Sequence, residues 1–289
     1  MKNAAWTEEE LDFLRNNYII MTNAEMAKAL DRTKAAIDLK LNRLGIHKSK
    51  YHYDHNYFSV IDTIEKAYWL GFISADGYVQ YKHEKESRNY ELGIELQYSD
   101  RNHLKLFNKC LQGNIEVGER TRISYFDKNK LQQVSFIRIY SKKMVTDLMK
   151  LGVMPNKSCM IEFNNILNSD LMSHYIRGYF DGNGCISVDS KIKKRFSIDF
   201  TSGSKDFLSG LREHLYQNNI NSYLLQEKEN TYRLFIKGIS NCDVFLNYIY
   251  KDSDSVRLDR KYRKACDLYQ KFNYARRLPL HSEMGGFLN

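Results

Sequence analysis

The chain has 289 residues, 43% of them hydrophobic, which is enough for two or three domains with real cores. No apolar run approaches the roughly 18 residues of a membrane span and no basic-then-apolar signal segment opens the sequence, so a soluble, intracellular, cytoplasmic protein is expected. A net charge of +9 with 13% aromatic residues favours a nucleic-acid partner over a membrane, and five scattered cysteines without a CxxC pair support neither a disulfide framework nor a zinc site.

The first segment reads as three short helices, Thr7 to about Asn17, Asn23 to Leu30 and Thr33 to Leu44. Thr7 precedes Glu8, Glu9 and Glu10, acids in the first turn as the helix dipole prefers, and Thr33 can cap the third helix. Ile37, Leu41 and Leu44 recur at helical spacing and would share a core with Leu11, Leu14, Ala27 and Leu30. WTEEELDFL with NAEMAKALDRTKAAIDLKLNRLG resembles a Myb-like or sigma-factor-like helix-turn-helix. That resemblance implies phosphate contacts from Arg32, Lys34, Lys40 and Arg43, and base contacts from Asp38 and Asn42. A small packing module with solvated charges is the other reading. We place this domain at 1–47 and a linker at 48–60, whose His52 and His55 read as solvated because no carboxylate or cysteine cluster completes a metal site.

Two similar stretches then follow, WLGFISADG at Trp69 to Gly77 and IRGYFDGNG at Ile176 to Gly184. Gly71 and Ala75 are four apart, as are Gly178 and Gly182, so on helices each pair makes a smooth strip that lets another backbone come close. An interior glycine costs a helix roughly 1 kcal/mol relative to alanine, which close packing can offset. Paired in this way, the helices bring Asp76 and Asn183 together among the free carbonyls of their last turns, an all-oxygen setting suited to Mg²⁺.

After the first motif helix, Tyr90 to Tyr98 alternates apolar and polar residues as a half-buried strand does. A helix at Asp100 to Leu111, strands at Ile115 to Tyr125 and Val134 to Tyr140, and a helix at Lys142 to Leu151 complete the first half. The second half repeats the order with a motif helix at Ser173 to Asn183 and strands near Ile186 to Val188 and Phe196 to Thr201. A helix at Lys205 to Gln217, strands at Tyr223 to Glu227 and Tyr232 to Lys237, and helices at Cys242 to Tyr250 and Asp259 to Phe272 follow. The expected fold class is α+β, with two pseudo-symmetric αββαββα repeats at 61–167 and 168–272, the small all-α N-terminal domain, and a tail at 273–289.

The paired motifs resemble those of the LAGLIDADG homing endonucleases, in the single-chain, two-repeat form, over residues from about 60 to 272. The family's metal-binding acid falls on Asp76 in the first copy and on Asn183, an amide, in the second. The resemblance also places basic active-site residues at Lys157 and Lys261, which lie 81 and 78 residues after Asp76 and Asn183. It implies a Mg²⁺-dependent, site-specific DNA endonuclease that acts as a monomer on a long asymmetric double-stranded target.

A sheet curved over DNA lays alternate side chains into the major groove. By alternation Arg120 and Arg122 share a face, as do Gln226 with Lys228 and Arg233 with Lys237, while Lys191, Lys193, Lys194 and Arg195 form a basic hairpin loop reaching phosphates. Asn183 leaves three outcomes: cleavage of both strands, nicking of one, or binding without cleavage, the last as a DNA-binding regulator or an intron RNA maturase.

Overall fold

The computed structural model describes residues 5–18, 21–46, 51–81, 90–124, 127–155, 160–163, 167–188 and 196–271. The chain divides into two compact units, Met1–His52 and Tyr53–Asn289.

In the first unit α1 (Glu8–Asn17), α2 (Asn23–Ala29) and α3 (Lys34–Arg43) each begin at a threonine whose hydroxyl accepts an N–H of the first turn. At Thr7 and Thr22 the reciprocal bond from a glutamate completes a capping box, which satisfies two otherwise orphaned donors. Leu14, Met26, Ala27, Ile37 and Leu41 close over one another as the core, with Leu30 and Leu44 packed at its edge.

The second unit is the duplication. Its first half runs α4 (Ile64–Asp76), β1 (Gly77–Gln80), β2 (Glu91–Gln97), α5 (Arg101–Cys110), β3 (Gly118–Ile123), β4 (Leu131–Tyr140) and α6 (Lys142–Lys150). The second half repeats it as α7 (Ser169–Asn183), β5 (Gly184–Val188), β6 (Phe196–Ser202), α8 (Lys205–Gln217), β7 (Tyr223–Lys228), β8 (Thr231–Lys237) and α9 (Ile239–Tyr250), and α10 (Asp259–Lys271) is added at the end. Each half builds one antiparallel four-stranded sheet, in the order β1-β2-β4-β3 and β5-β6-β8-β7.

One face of each sheet is apolar and covered. Ile94 pairs with Ile137 and Phe200 with Leu234, all buried, and helices α5, α6, α8 and α9 contribute Phe107, Leu148, Phe207 and Phe245 to the same cores. The opposite faces carry Glu91, Glu95 and Gln97 on β2, and Ser197, Asp199 and Thr201 on β6, the positions that the strand period of two points the other way. No helix among the described residues is long and apolar enough to cross a membrane.

Three expectations need correction. Residues 53–60 are not a free linker: Tyr57 and Phe58 are buried, the Tyr53 hydroxyl donates to the Tyr140 carbonyl (2.8 Å), and the Ser59 hydroxyl donates to Asp147 (2.7 Å). His55 Nδ1 likewise lies 2.9 Å from the Ser141 hydroxyl. The aromatic residues of this segment give it enough apolar surface to dock. Helix α7 starts at Ser169, a turn before the expected Ser173. In the first unit, Arg32 is buried instead of meeting phosphates; it pairs with Glu10 at 2.7 Å and lies over the Trp6 ring at 4.0 Å.

Candidate functional site

The motif helices α4 and α7 pack backbone to backbone. A Cβ built on Gly71 would fall inside the Tyr175 carbonyl oxygen and 3.0 Å from the Tyr179 nitrogen. One built on Gly178 would collide in the same way with the Tyr68 carbonyl and stand 2.8 Å from the Phe72 nitrogen, and one on Gly182 would reach Ala75 Cβ at 2.5 Å. Gly71, Ala75, Gly178 and Gly182 thus all lie along the contact between α4 and α7, and only hydrogen fits at the two deepest positions.

This contact brings the two helix ends together. Asp76 and Asn183 are the last residues of α4 and α7, both exposed, and both line one cavity of about 340 Å³ with Ser74, Tyr179, Thr201 and Thr231. Asp76 also borders a second cavity of about 460 Å³ that runs along the outer face of the first sheet past Glu95, Arg122 and Arg138. The Asn183 amide donates from Nδ2 to the Thr201 carbonyl, which leaves Oδ1 as its acceptor. Helix C-termini carry negative potential, so the Asp76 carboxylate stands where an added cation is favoured.

Lys261 reaches the end of α7 from α10. Its ammonium is buried and donates to the carbonyls of Phe180 (2.6 Å) and Gly184 (2.5 Å), which caps the helix. Burial lowers its pKa to about 8, against the opposing pull of Asp181 and Asp76. Lys157 lies outside the described residues.

These groups suit a hard cation of modest affinity. Among the described residues no group of three or more His, Cys, Asp or Glu gathers as a metal cluster. One carboxylate with an amide oxygen and helix-end carbonyls matches Mg²⁺, which keeps several waters and takes few protein ligands.

Behind the helix ends lies a buried polar cluster that the motif comparison did not single out. Asp181, 1% exposed, accepts hydrogen bonds from the Tyr68 hydroxyl (2.8 Å) and the Leu258 N–H (2.7 Å). Burial raises its pKa, while Lys261 and the bonded donors pull the other way. Since Tyr68 gives its one proton to Asp181, His103 Nε2, 2.9 Å from the Tyr68 oxygen, is the donor in that contact. Arg177, fully buried, donates to the carbonyls of Val256 (3.1 Å) and Ile249 (2.9 Å). Together these bonds tie the segment before α10 to both motif helices, and Arg260 extends the tie to Asp100 at 3.1 Å. The available sequence clue was the acid that opens DGNG, Asp181, where the first copy has Ser74.

On the outer face of the first sheet, Arg120 Nη2 lies 2.5 Å and Arg122 Nε 2.9 Å from the two oxygens of Glu95 on β2. On the second sheet, Arg233 pairs with Asp199 (2.8 Å) and Glu227 (2.6 Å), and the Lys237 ammonium lies over the Tyr223 and Phe235 rings at 4.6 and 5.2 Å. Gln226 and Lys228 are exposed, but a register shift places them opposite the adjacent residues Tyr232 and Thr231. Strict alternation, which would give them one face, is therefore interrupted there. Lys191, Lys193, Lys194 and Arg195 lie outside the described residues. In the first unit Lys34, Asn42 and Arg43 are exposed on α3, and Asp38 there accepts a bond from Asn23 (2.5 Å).

Comparison with known proteins adds four relationships. Residues 170–250 match the family described as LAGLIDADG-like domain. The DNA-directed RNA polymerase subunit Rpo1C of Methanocaldococcus jannaschii is 27% identical over 218 residues, 75% of this chain and 21% of that protein. The probable cell division protein WhiA of Clostridium acetobutylicum is 25% identical over 162 residues, 54% of this chain and 50% of its own length. The chain thus spans between about a fifth and a half of these curated relatives. Among solved structures, the homing endonuclease I-WcaI bound to its DNA recognition sequence superimposes with a TM-score of 0.50 at 15% identity, over 72% of this chain and 89% of that one. That likeness is one of fold.

Proposed function

We propose that this chain, which has the LAGLIDADG fold and a LAGLIDADG-like domain at residues 170–250, is a site-specific DNA endonuclease of the homing type. The observation that carries this reading is the convergence of Asp76 and Asn183 at one cavity, with a second cavity leading from Asp76 along a sheet face that carries arginines.

Asp76, the Asn183 Oδ1 and helix-end carbonyls would hold Mg²⁺. When bound, the ion supplies an activated water and stabilises the charge that develops on the phosphate. The Asp76 carboxylate would be the charged ligand to the ion, and the outer faces of the two sheets would bind the duplex. Lys261 keeps the end of α7 in place through its two carbonyl bonds and adds positive charge beside the site. The expected helix-turn-helix domain, residues 1–47, adds DNA affinity through Lys34, Asn42 and Arg43, and the chain acts as a monomer.

A second reading has its own support: Asn183 brings no charge, and its amide is already engaged by Thr201. This favours a nickase, or a protein that binds DNA or intron RNA without cutting. The deciding experiment incubates the protein with plasmids carrying a randomised insert, with Mg²⁺ or with EDTA, and sequences the ends. Mg²⁺-dependent ends at one long motif support the endonuclease, single-strand ends at that motif support the nickase, and no ends despite retained binding rejects both.

A further inference from the structure

We propose that Arg260 is a catalytic residue for one of the two strands: the open edge of its guanidinium binds the phosphate that is cut beside Asp76. The proposal rests on the endonuclease reading above and adds an asymmetry to it.

Arg260 is anchored along one edge and open along the other. Its Nε and Nη2 both donate to Asp100 Oδ2 at 3.1 Å, while Nη1 makes no hydrogen bond or ion pair among the described residues. The Asp100 side chain is 7% exposed and accepts a further bond from Gln97 Nε2 at 2.9 Å, so the anchor itself is buried and held from a second side. A buried acid needs a cation, but it does not need one whose side chain stays 52% exposed. A guanidinium fixed in this way, with both N–H groups of Nη1 open, suits a phosphate oxygen.

Arg260 lines the cavity of about 460 Å³ that Asp76 also lines. Both charges act on the Lys261 ammonium at the end of α7, in opposite senses, so the acid and the arginine share one neighbourhood. As water adds to a phosphate and an ester oxygen leaves, negative charge grows on the non-bridging oxygens. A guanidinium already in position stabilises that charge without reorganising.

The second helix end lacks this arrangement. Asn183 does not line the 460 Å³ cavity, and among the described residues no Arg or Lys lines the cavity that it does share. The residue before Lys261 is Arg260, whereas the residue before Lys157 is Asn156, which lies outside the described residues. Asp100 precedes α5, and the residue that precedes α8 is Ser204. Neither member of the pair is repeated.

The test uses the full chain and the motif recovered in the plasmid experiment, as a duplex with its two strands labelled separately. Single-turnover cleavage in Mg²⁺ is followed for the wild type, Arg260→Ala and Arg260→Lys, and thermal unfolding checks that each variant folds. Arg260→Ala should slow one strand by about a hundredfold and leave the other within about threefold. Arg260→Lys keeps a charge for Asp100 and should slow the same strand by about tenfold, which carries the test if the alanine variant does not fold. Binding is then measured in EDTA on duplexes with one neutral methylphosphonate at each position in turn. At the phosphate cut in the slowed strand the wild type should lose about tenfold in affinity, and Arg260→Ala should lose almost nothing. Equal slowing of both strands, with no phosphate coupled to Arg260, would show that the arginine only braces Asp100 and would overturn the proposal. A coupled phosphate away from the cut would overturn it as well. If the wild type binds the motif and cuts neither strand, it is the endonuclease reading that fails.

Discussion

Gly71 and Tyr175 meet so closely that no side chain fits between them: a Cβ on the glycine would enter the tyrosine's carbonyl oxygen and stand 2.8 Å from its carbonyl carbon. Gly178 meets Tyr68 across the same contact. The obstacle on each side is backbone, which cannot rotate away as a side-chain tip can. Gly71→Ala and Gly178→Ala should therefore each cost about 3 kcal/mol or more, although alanine is the better helix former. Urea unfolding would show it, and a gain in stability would mean that the helices are further apart than described.

The buried histidine predicts a pH dependence. Burial lowers the His103 pKa to about 3 against the opposing pull of Asp100, while an unfolded histidine titrates near 6.5. The unfolded chain then takes up a proton first, so the contribution is present above pH 6.5 and is lost as pH falls toward 3. The full loss is roughly 5 kcal/mol at most. Asp181 works the other way, because its raised pKa costs stability as pH rises above the ordinary carboxylate range. His103→Gln keeps a donor for Tyr68 and removes the titration. Unfolding curves measured from pH 7 to pH 4 should have a shallower slope for this variant, and an unchanged slope would exclude His103 as its source.

Asn183→Asp should restore a charge at the second helix end. The carboxylate cannot donate to Thr201 and adds negative charge to a helix C-terminus, so about 1–2 kcal/mol of stability should be lost. Half-maximal cleavage should nevertheless need less Mg²⁺, and the ratio of linear to nicked plasmid should rise. A variant that cleaves no better at any Mg²⁺ concentration would show that this position does not limit the reaction.

The duplication was legible because each half carries its own motif, strand alternation and amphipathic helices, all local properties. The strand β1 is not legible in the sequence, since the four residues Gly77–Gln80 are too few to show a period. Tertiary burial was not legible. Nothing local distinguishes Arg32, buried against Glu10 and Trp6, from the exposed Lys34 two residues later. Asp181 looked like one more polar residue beside Asn183, and its burial depends on Tyr68 and Leu258, distant in sequence. The pairing of Gln226 with Lys228 failed for a different reason, a bulge that changes the period within one strand.

The central claim is that Asp76 supplies the carboxylate for metal-dependent cleavage, and Asp76→Asn tests it with little change in shape. With Mg²⁺ and plasmids that the wild-type chain cuts at its selected motif, the variant should lose cleavage by at least about a hundredfold while its affinity for the same duplex in EDTA stays within about twofold. Cleavage by Asp76→Asn at the wild-type rate would contradict the account.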